Sequence, residues 1–162
     1  MTDISTKIEK IIADEYGAIL TSRKDIGDFY INENRDAVNV KSNNVDKVNF
    51  SPNMVSVPKI LDFLENYSNK NLIYVFVDYK MLDNEIKILE KTKVNIEHID
   101  WNCLAIRAQG KGVIQKPGNL LINKEQTREQ WLKICWEKYK EWAKKQKISM
   151  DEIITDCERV RF

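Results

Sequence analysis

Asp28, Asn39 and Lys41 are residues whose types and spacing allow metal-assisted chemistry. Two strand-like runs, 27–32 and 37–41, flank a polar connector at 33–36, which is a hairpin signature. In the second run a period of two sets Val38 and Val40 on one face and Ala37, Asn39 and Lys41 on the other. Paired strands lie about 5 Å apart, so side chains eleven positions apart in the chain can meet on one face. A carboxylate there can hold a divalent cation. A lysine two residues beyond the second ligand position can touch the same attacking water or a phosphate. Hydrolysis of a phosphodiester needs such a set, because a metal lowers the pKa of water and offsets charge on the phosphorane while a cation stands nearby. The bare pattern of Asp and a later Asn-x-Lys also occurs often by chance.

The surrounding elements must position these groups. Ile4, Ile8, Ile11, Ile12, Tyr16 and Ile19 recur at helical spacing, with Thr2 or Asp3 as the cap. Glu15 falls inside that apolar arc, where a carboxylate is costly unless paired or functional. The plainer reading has it reach past the helix end to water or a lysine. Residues 42–53 are rich in Asn, Ser and Asp and read as a loop. Ser56 as cap and Pro58 in the first turn then open a helix with Ile60, Leu61, Leu64 and Tyr67 as its stripe. Residues 71–80 form the strongest strand, dense in β-branched and aromatic residues and expected to be central. Two weaker runs, 85–89 and 94–99, follow it. Thr127 to Gln130 is a capping-box pattern, and Trp131, Cys135, Tyr139 and Trp142 then share one helix face as core. Lys144, Lys145 and Lys147 read as a solvated end. This order predicts one α/β (α+β mixed) domain spanning residues 1–162.

Composition narrows the chemistry. The 162 residues are 43% hydrophobic and 31% charged, and 26 Lys and Arg against 25 Asp and Glu give a net charge of +1. That balance fits a globular domain and argues against purely electrostatic nucleic-acid binding. Cys103, Cys135 and Cys157 form no C-x-x-C pair, which disfavours zinc and a disulfide framework and predicts a cytoplasmic location. The single His98 cannot build a multi-histidine metal site and reads as an ordinary hydrogen-bonding residue. No run approaches the roughly 20 apolar residues of a membrane span, and the first residues lack the apolar core of a signal peptide. The available hard groups are carboxylates, amides and lysines, the chemistry of oxygen-ligated Mg²⁺.

Gly27-Asp28, the run Val38-Asn39-Val40-Lys41-Ser42 and the helix and strand that follow resemble the core of the PD-(D/E)xK nuclease superfamily. Within it they are most similar to type II restriction endonucleases of the HincII-like group. Further points of likeness are Asn43-Asn44, the segment Phe50 to Ser56, Asp100-Trp101-Asn102-Cys103-Leu104-Ala105-Ile106 and Gly110-Lys111-Gly112-Val113-Ile114-Gln115. The likeness covers residues 25–115 and rests on order and spacing. It implies a restriction-endonuclease-like core, a central mixed sheet flanked by helices. It further implies that Asp28 binds Mg²⁺, that Asn39 holds the second ligand position and that Lys41 orients water and steadies the phosphate. Glu15 would join through a water.

Asn39 stands where that family has an acid. An amide oxygen ligates Mg²⁺ without contributing charge. Three explanations stay open: an inactivating substitution that traps a DNA complex, an amide the natural chain tolerates, and a chain that binds without cutting.

Reading DNA bases needs amides and guanidinium groups, Asn and Gln for adenine and Arg for guanine. Ser42, Asn43, Asn44 and Asn53 follow the central pattern, and Arg107, Gln109 and Lys111 lie on a Gly-flanked tip. For each Asn, a turn stabilised through its own backbone is the competing role. The expectation is a Mg²⁺-dependent, site-specific endonuclease of double-stranded DNA, a homodimer matching a short palindrome. The alternative is a non-catalytic DNA-binding or interaction module on the same scaffold.

Overall fold

The computed structural model describes residues 3–22, 25–47, 51–66, 70–107, 112–146 and 150–159. Its elements run α1 (Ile4–Glu15), β1 (Phe29–Ile31), β2 (Asp36–Asn44), β3 (Asn53–Ser56), α2 (Val57–Asn66), β4 (Asn71–Leu82), β5 (Glu85–Asn95), β6 (Ala105–Arg107), β7 (Val113–Gln115), α3 (Arg128–Gln146) and α4 (Met150–Glu158), with two 3₁₀ turns before β6. This is a mixed α/β architecture with four α-helices among the described residues.

Helix α1 begins where Asp3 Oδ1 accepts the Thr6 N–H at 2.7 Å, which satisfies one of the orphan donors of the first turn. It ends at Gly17, whose φ of +65° suits a residue without Cβ. There the Ala18 N–H reaches the Ala13 carbonyl and the Gly17 N–H reaches that of Asp14. The helix stops four residues short of Ile19, which is 87% exposed, and buries Ile8, Ile12 and Ala13.

That buried stripe lies on a four-stranded sheet in the order β1-β2-β4-β5. β1 and β2 are antiparallel, β2 and β4 parallel, and β4 and β5 antiparallel. The core joins Ile8, Ile12 and Ala13 to Phe29, Val38, Val40, Ile73, Val75, Val77 and Tyr79. Val38 and Val40 therefore face α1, and alternation sends Asn39 and Lys41 to the opposite face of β2.

Two expectations change here. Residues 42–44 continue β2 instead of entering a loop, because Ser42, Asn43 and Asn44 pair with Val77, Asp78 and Tyr79. The runs 85–89 and 94–99 belong to one strand through Asn95, followed by a 3₁₀ turn at Ile96–His98. Asp78 pairs with Glu90 and Tyr79 with Ile88, so Leu89 is the extra residue of a β-bulge. A bulge inverts which side chains face the core, so beyond it Lys91 and Lys93, opposite Val77 and Val75, take the face that Ile86 and Ile88 hold before it.

Two compact units divide the chain, Met1–Phe50 with Asn69–Ile96, and Ser51–Ser68 with Glu97–Phe162. The second holds an antiparallel sheet in the order β3-β7-β6 together with α2, α3 and α4. Helix α3 carries the expected capping box: the Gln130 N–H donates to Thr127 Oγ1 at 3.2 Å and Gln130 Oε1 accepts the Thr127 N–H at 2.9 Å. Trp131, Leu132, Cys135, Tyr139, Trp142 and Ala143 form its buried face. Trp101 and Trp131 interlock, the Trp101 indole N–H donating to the Trp131 carbonyl and that of Trp131 to the Ile99 carbonyl.

Candidate active site

The site is built on the edge of β2 where β1 has ended. β1 pairs with β2 only as far as Phe29 opposite Val38. The chain before it stays hooked to β2, since the Asp28 N–H donates to the Val38 carbonyl at 2.7 Å. The Asp28 side chain then takes the next rung, its Oδ2 accepting the Val40 N–H at 2.7 Å. Asp28 thus brackets position 39 with its backbone on one side and its carboxylate on the other. Gly27 permits this approach: a Cβ there would meet Ala37 Cβ, the Phe29 carbonyl and the Val38 nitrogen, each at 3.1 Å. A side chain at position 27 would therefore crowd the backbone that sets Asp28 against this edge.

Asn39 is half-buried and its Nδ2 donates to the Ile26 carbonyl at 3.1 Å. That bond fixes the amide, and its Oδ1 is buried with no hydrogen-bond partner. An acceptor stripped of water without a replacement is unfavourable, so Oδ1 is an oxygen with unused acceptor capacity.

Lys41 follows on the same face and is half-buried. Burial depresses its ammonium below the ordinary lysine range, and the carboxylates of Asp28 and then Glu9 act against that shift. Tyr74, paired with Asn39 across β4, is fully buried and its phenol is pushed up by burial and by the Asp28 charge.

Glu9 is the α1 carboxylate that acts on Lys41, and the sequence reading passed over it. At 100° per residue it points between Ile12 and Ala13, two of the three residues α1 buries. That position was readable once Ile12 and Ala13, not Ile11 and Ile19, define the buried stripe. Glu15 ends α1 and pairs with Lys91 Nζ on β5 at 2.7 Å, the lysine contact that was its plainer reading. Among the described residues no group of three or more His, Cys, Asp or Glu converges as a metal site.

The other expected contacts divide. Ser42, Asn43 and Asn44 extend β2 beyond Lys41 and are half-buried. Asn43 Nδ2 donates to Asp78 Oδ1 at 3.0 Å, and Asn44 Oδ1 accepts the Asp46 N–H at 3.0 Å to close a turn. Asn53 and Arg107 belong to the second unit, where Asn53 Oδ1 accepts from Gln115 Nε2 at 3.1 Å and Arg107 is exposed at the end of β6. Gln109 and Lys111 lie outside the described residues. Asp36, the acid at the start of β2, is buried, falls by alternation on the face opposite Lys41, and accepts from Asn32 and Asn71.

Against solved structures, the chain matches the NlaIV restriction endonuclease with a TM-score of 0.59 at 14% identity, over 83% of this chain and 63% of that one. The fold is that of a restriction endonuclease. This chain spans 63% of the length of that enzyme. The likeness reaches the restriction-endonuclease fold and does not extend to the HincII-like group. No family model and no curated protein matches the sequence. On this restriction-endonuclease fold, Asp28, Asn39 and Lys41 occupy one edge and one face of β2. No helix among the described residues is long and apolar enough to cross a membrane.

Proposed function

We propose that the chain is a Mg²⁺-dependent, site-specific endonuclease of double-stranded DNA, a type II restriction enzyme of the HincII-like kind that works as a cytoplasmic homodimer on a short palindrome. One observation carries the reading: the Asp28 carboxylate is pinned to the Val40 N–H, one residue on from Asn39 with its unpartnered Oδ1, and its charge acts on Lys41 of the same strand. The donors fit a hard cation, which takes oxygen ligands. Asp28 supplies charge, Asn39 supplies a carbonyl oxygen, and Glu9 on α1 is the acid best placed to add a contact, in preference to Glu15. Bound there, Mg²⁺ would activate water and offset charge on the scissile phosphate. Lys41 holds the attacking water and the phosphate oxygen by hydrogen bonds. Its depressed pKa leaves it readier than an ordinary lysine to exchange a proton with that water.

Plasmid cleavage by the Asn39→Asp chain with Mg²⁺ tests the reading. Discrete fragments at a rate well above the parent are expected. Absence of fragments at any Mg²⁺ concentration, with the fold intact, would overturn it.

A second reading is a DNA-binding module without catalysis. The bond from Asn39 Nδ2 to the Ile26 carbonyl favours it, because a carboxylate at position 39 could not donate there. Tight binding to one short duplex, with no cleavage by either form, would decide for the module.

A further inference from the structure

The second unit carries a groove of about 420 Å³ between the outer strand β6 and the C-terminal half of α3. Leu104, Ala105 and Ile106 form one wall, and Arg107, Lys138 and Lys145 bring three cations to its rim against the one carboxylate of Glu141. Arg107 and Lys145 are exposed and take part in no ion pair among the described residues. Lys138 lies 5.9 Å from the Trp101 ring centroid. A rim of unmatched cations on a concave surface concentrates a positive field.

A second feature points the same way. β6 is the outer strand of its sheet, and one side of its backbone is left without a ladder partner in that sheet. Three cations against one carboxylate, beside a strand edge, suit an anionic ligand rich in acceptor oxygens. Lys144, Lys145 and Lys147 read from the sequence as a solvated helix end; Lys147 lies outside the described residues, and Lys145 lines the groove together with Arg107.

We infer that this groove binds consecutive backbone phosphates of duplex DNA, through Arg107, Lys138 and Lys145. The inference rests on the DNA reading above but shares no residue with the β2 site. Phosphate contacts position a protein on DNA without reading sequence. They also release counterions, each steepening the salt dependence of binding by about 0.9 in log–log slope.

The test is anisotropy of a labelled duplex with the full chain, without divalent metal, across a salt series. Arg107→Gln with Lys145→Gln should weaken binding roughly tenfold and lower the slope by about 2. Glu141→Gln removes the one carboxylate and should tighten binding, a gain that loss of folding cannot mimic. If the parent binds duplex and these variants match it in affinity and slope, the groove assignment fails while the nuclease reading stands. If the parent binds no duplex, the groove assignment falls, and the nuclease reading stands or falls on the plasmid assay. Competition by pyrophosphate as effective, per phosphate, as unlabelled duplex would make the groove a small-anion site and overturn the inference.

Discussion

The Val40 N–H donates to Asp28 Oδ2 at 2.7 Å, so a side chain from the loop before β1 completes the ladder that β1 leaves unfinished. Asp28 therefore has two separable jobs, accepting a backbone donor and presenting negative charge. Asp28→Asn keeps an oxygen for Val40 and removes the charge, whereas Asp28→Ala removes both. Asp28→Asn should melt close to the parent, and Asp28→Ala should lose about 1–3 kcal/mol for the stranded donor. Both should abolish Mg²⁺-dependent cleavage in the Asn39→Asp background. Calorimetry with Mg²⁺ and thermal melts of the two variants check the separation. Equal stability of the two would deny the ladder role.

Asp36 holds the other end of β2. It accepts from Asn32 Nδ2 at 2.6 Å and Asn71 Nδ2 at 2.9 Å, tying a turn of three successive left-handed residues, Asn32, Glu33 and Asn34, to the start of β4. Burial alone would raise its carboxyl, but the two amides, with Arg35 assisting, hold it below the usual 3.8. A carboxylate depressed in the folded state stabilises above its unfolded pKa, and that contribution is lost as pH falls below it. Denaturant titrations from about pH 5 to about pH 2 should show Asp36→Asn losing stability less steeply than the parent over that acid range. At neutral pH, Asp36→Ala should cost about 1–3 kcal/mol.

The hairpin, its facing residues and the α3 capping box were legible because each is set by neighbours close in sequence. The continuation of β2 through Ser42, Asn43 and Asn44 was not. Those polar residues prefer turns locally, and only the parallel partner β4, some 35 residues on, supplies their ladder. The unity of β5 was hidden for a related reason, since the polar stretch Glu90, Lys91, Thr92 and Lys93 parts its two apolar runs and only the ladder with β4 joins them. Helix α4 did carry a signal: Met150, Ile153, Ile154 and Cys157 recur at helical spacing. Spacing along the chain was enough to bring Asp28, Asn39 and Lys41 together at β2, which is where the structure has them. Glu9 needed the true extent of α1, which Gly17 limits.

Glu9 and Glu15 lie on one helix and should respond differently to loss of charge. The pair of Glu15 with Lys91 has both side chains 42% exposed, and such pairs contribute about 0–1 kcal/mol. Glu15→Gln should therefore leave cleavage by the Asn39→Asp chain unchanged and stability within about 0.5 kcal/mol. Glu9→Gln removes a carboxylate that acts on Lys41. It should raise the Mg²⁺ concentration needed for half-maximal cleavage several-fold. Mg²⁺ titrations of both variants distinguish them, and a stronger effect at Glu15 would return the helix role to that residue.

Lys41 offers a test in stability as well as activity. Its ammonium is held below the ordinary 10.5 because desolvation outweighs the attraction of Asp28 and Glu9. For such a lysine the unfolded chain binds more protons between the folded and unfolded pKa values, so its cost to folding is present at neutral pH. That cost shrinks as pH rises towards 10.5. Lys41→Met should then be more stable than the parent at neutral pH, with the gap closing on the alkaline side. Paired denaturant titrations at about pH 7 and about pH 10 measure it. The same variant should bind duplex DNA like the parent and fail to cleave it in the Asn39→Asp background. A stability gap independent of pH would show that the ammonium is well solvated, and cleavage at the undiminished rate would remove Lys41 from the reaction.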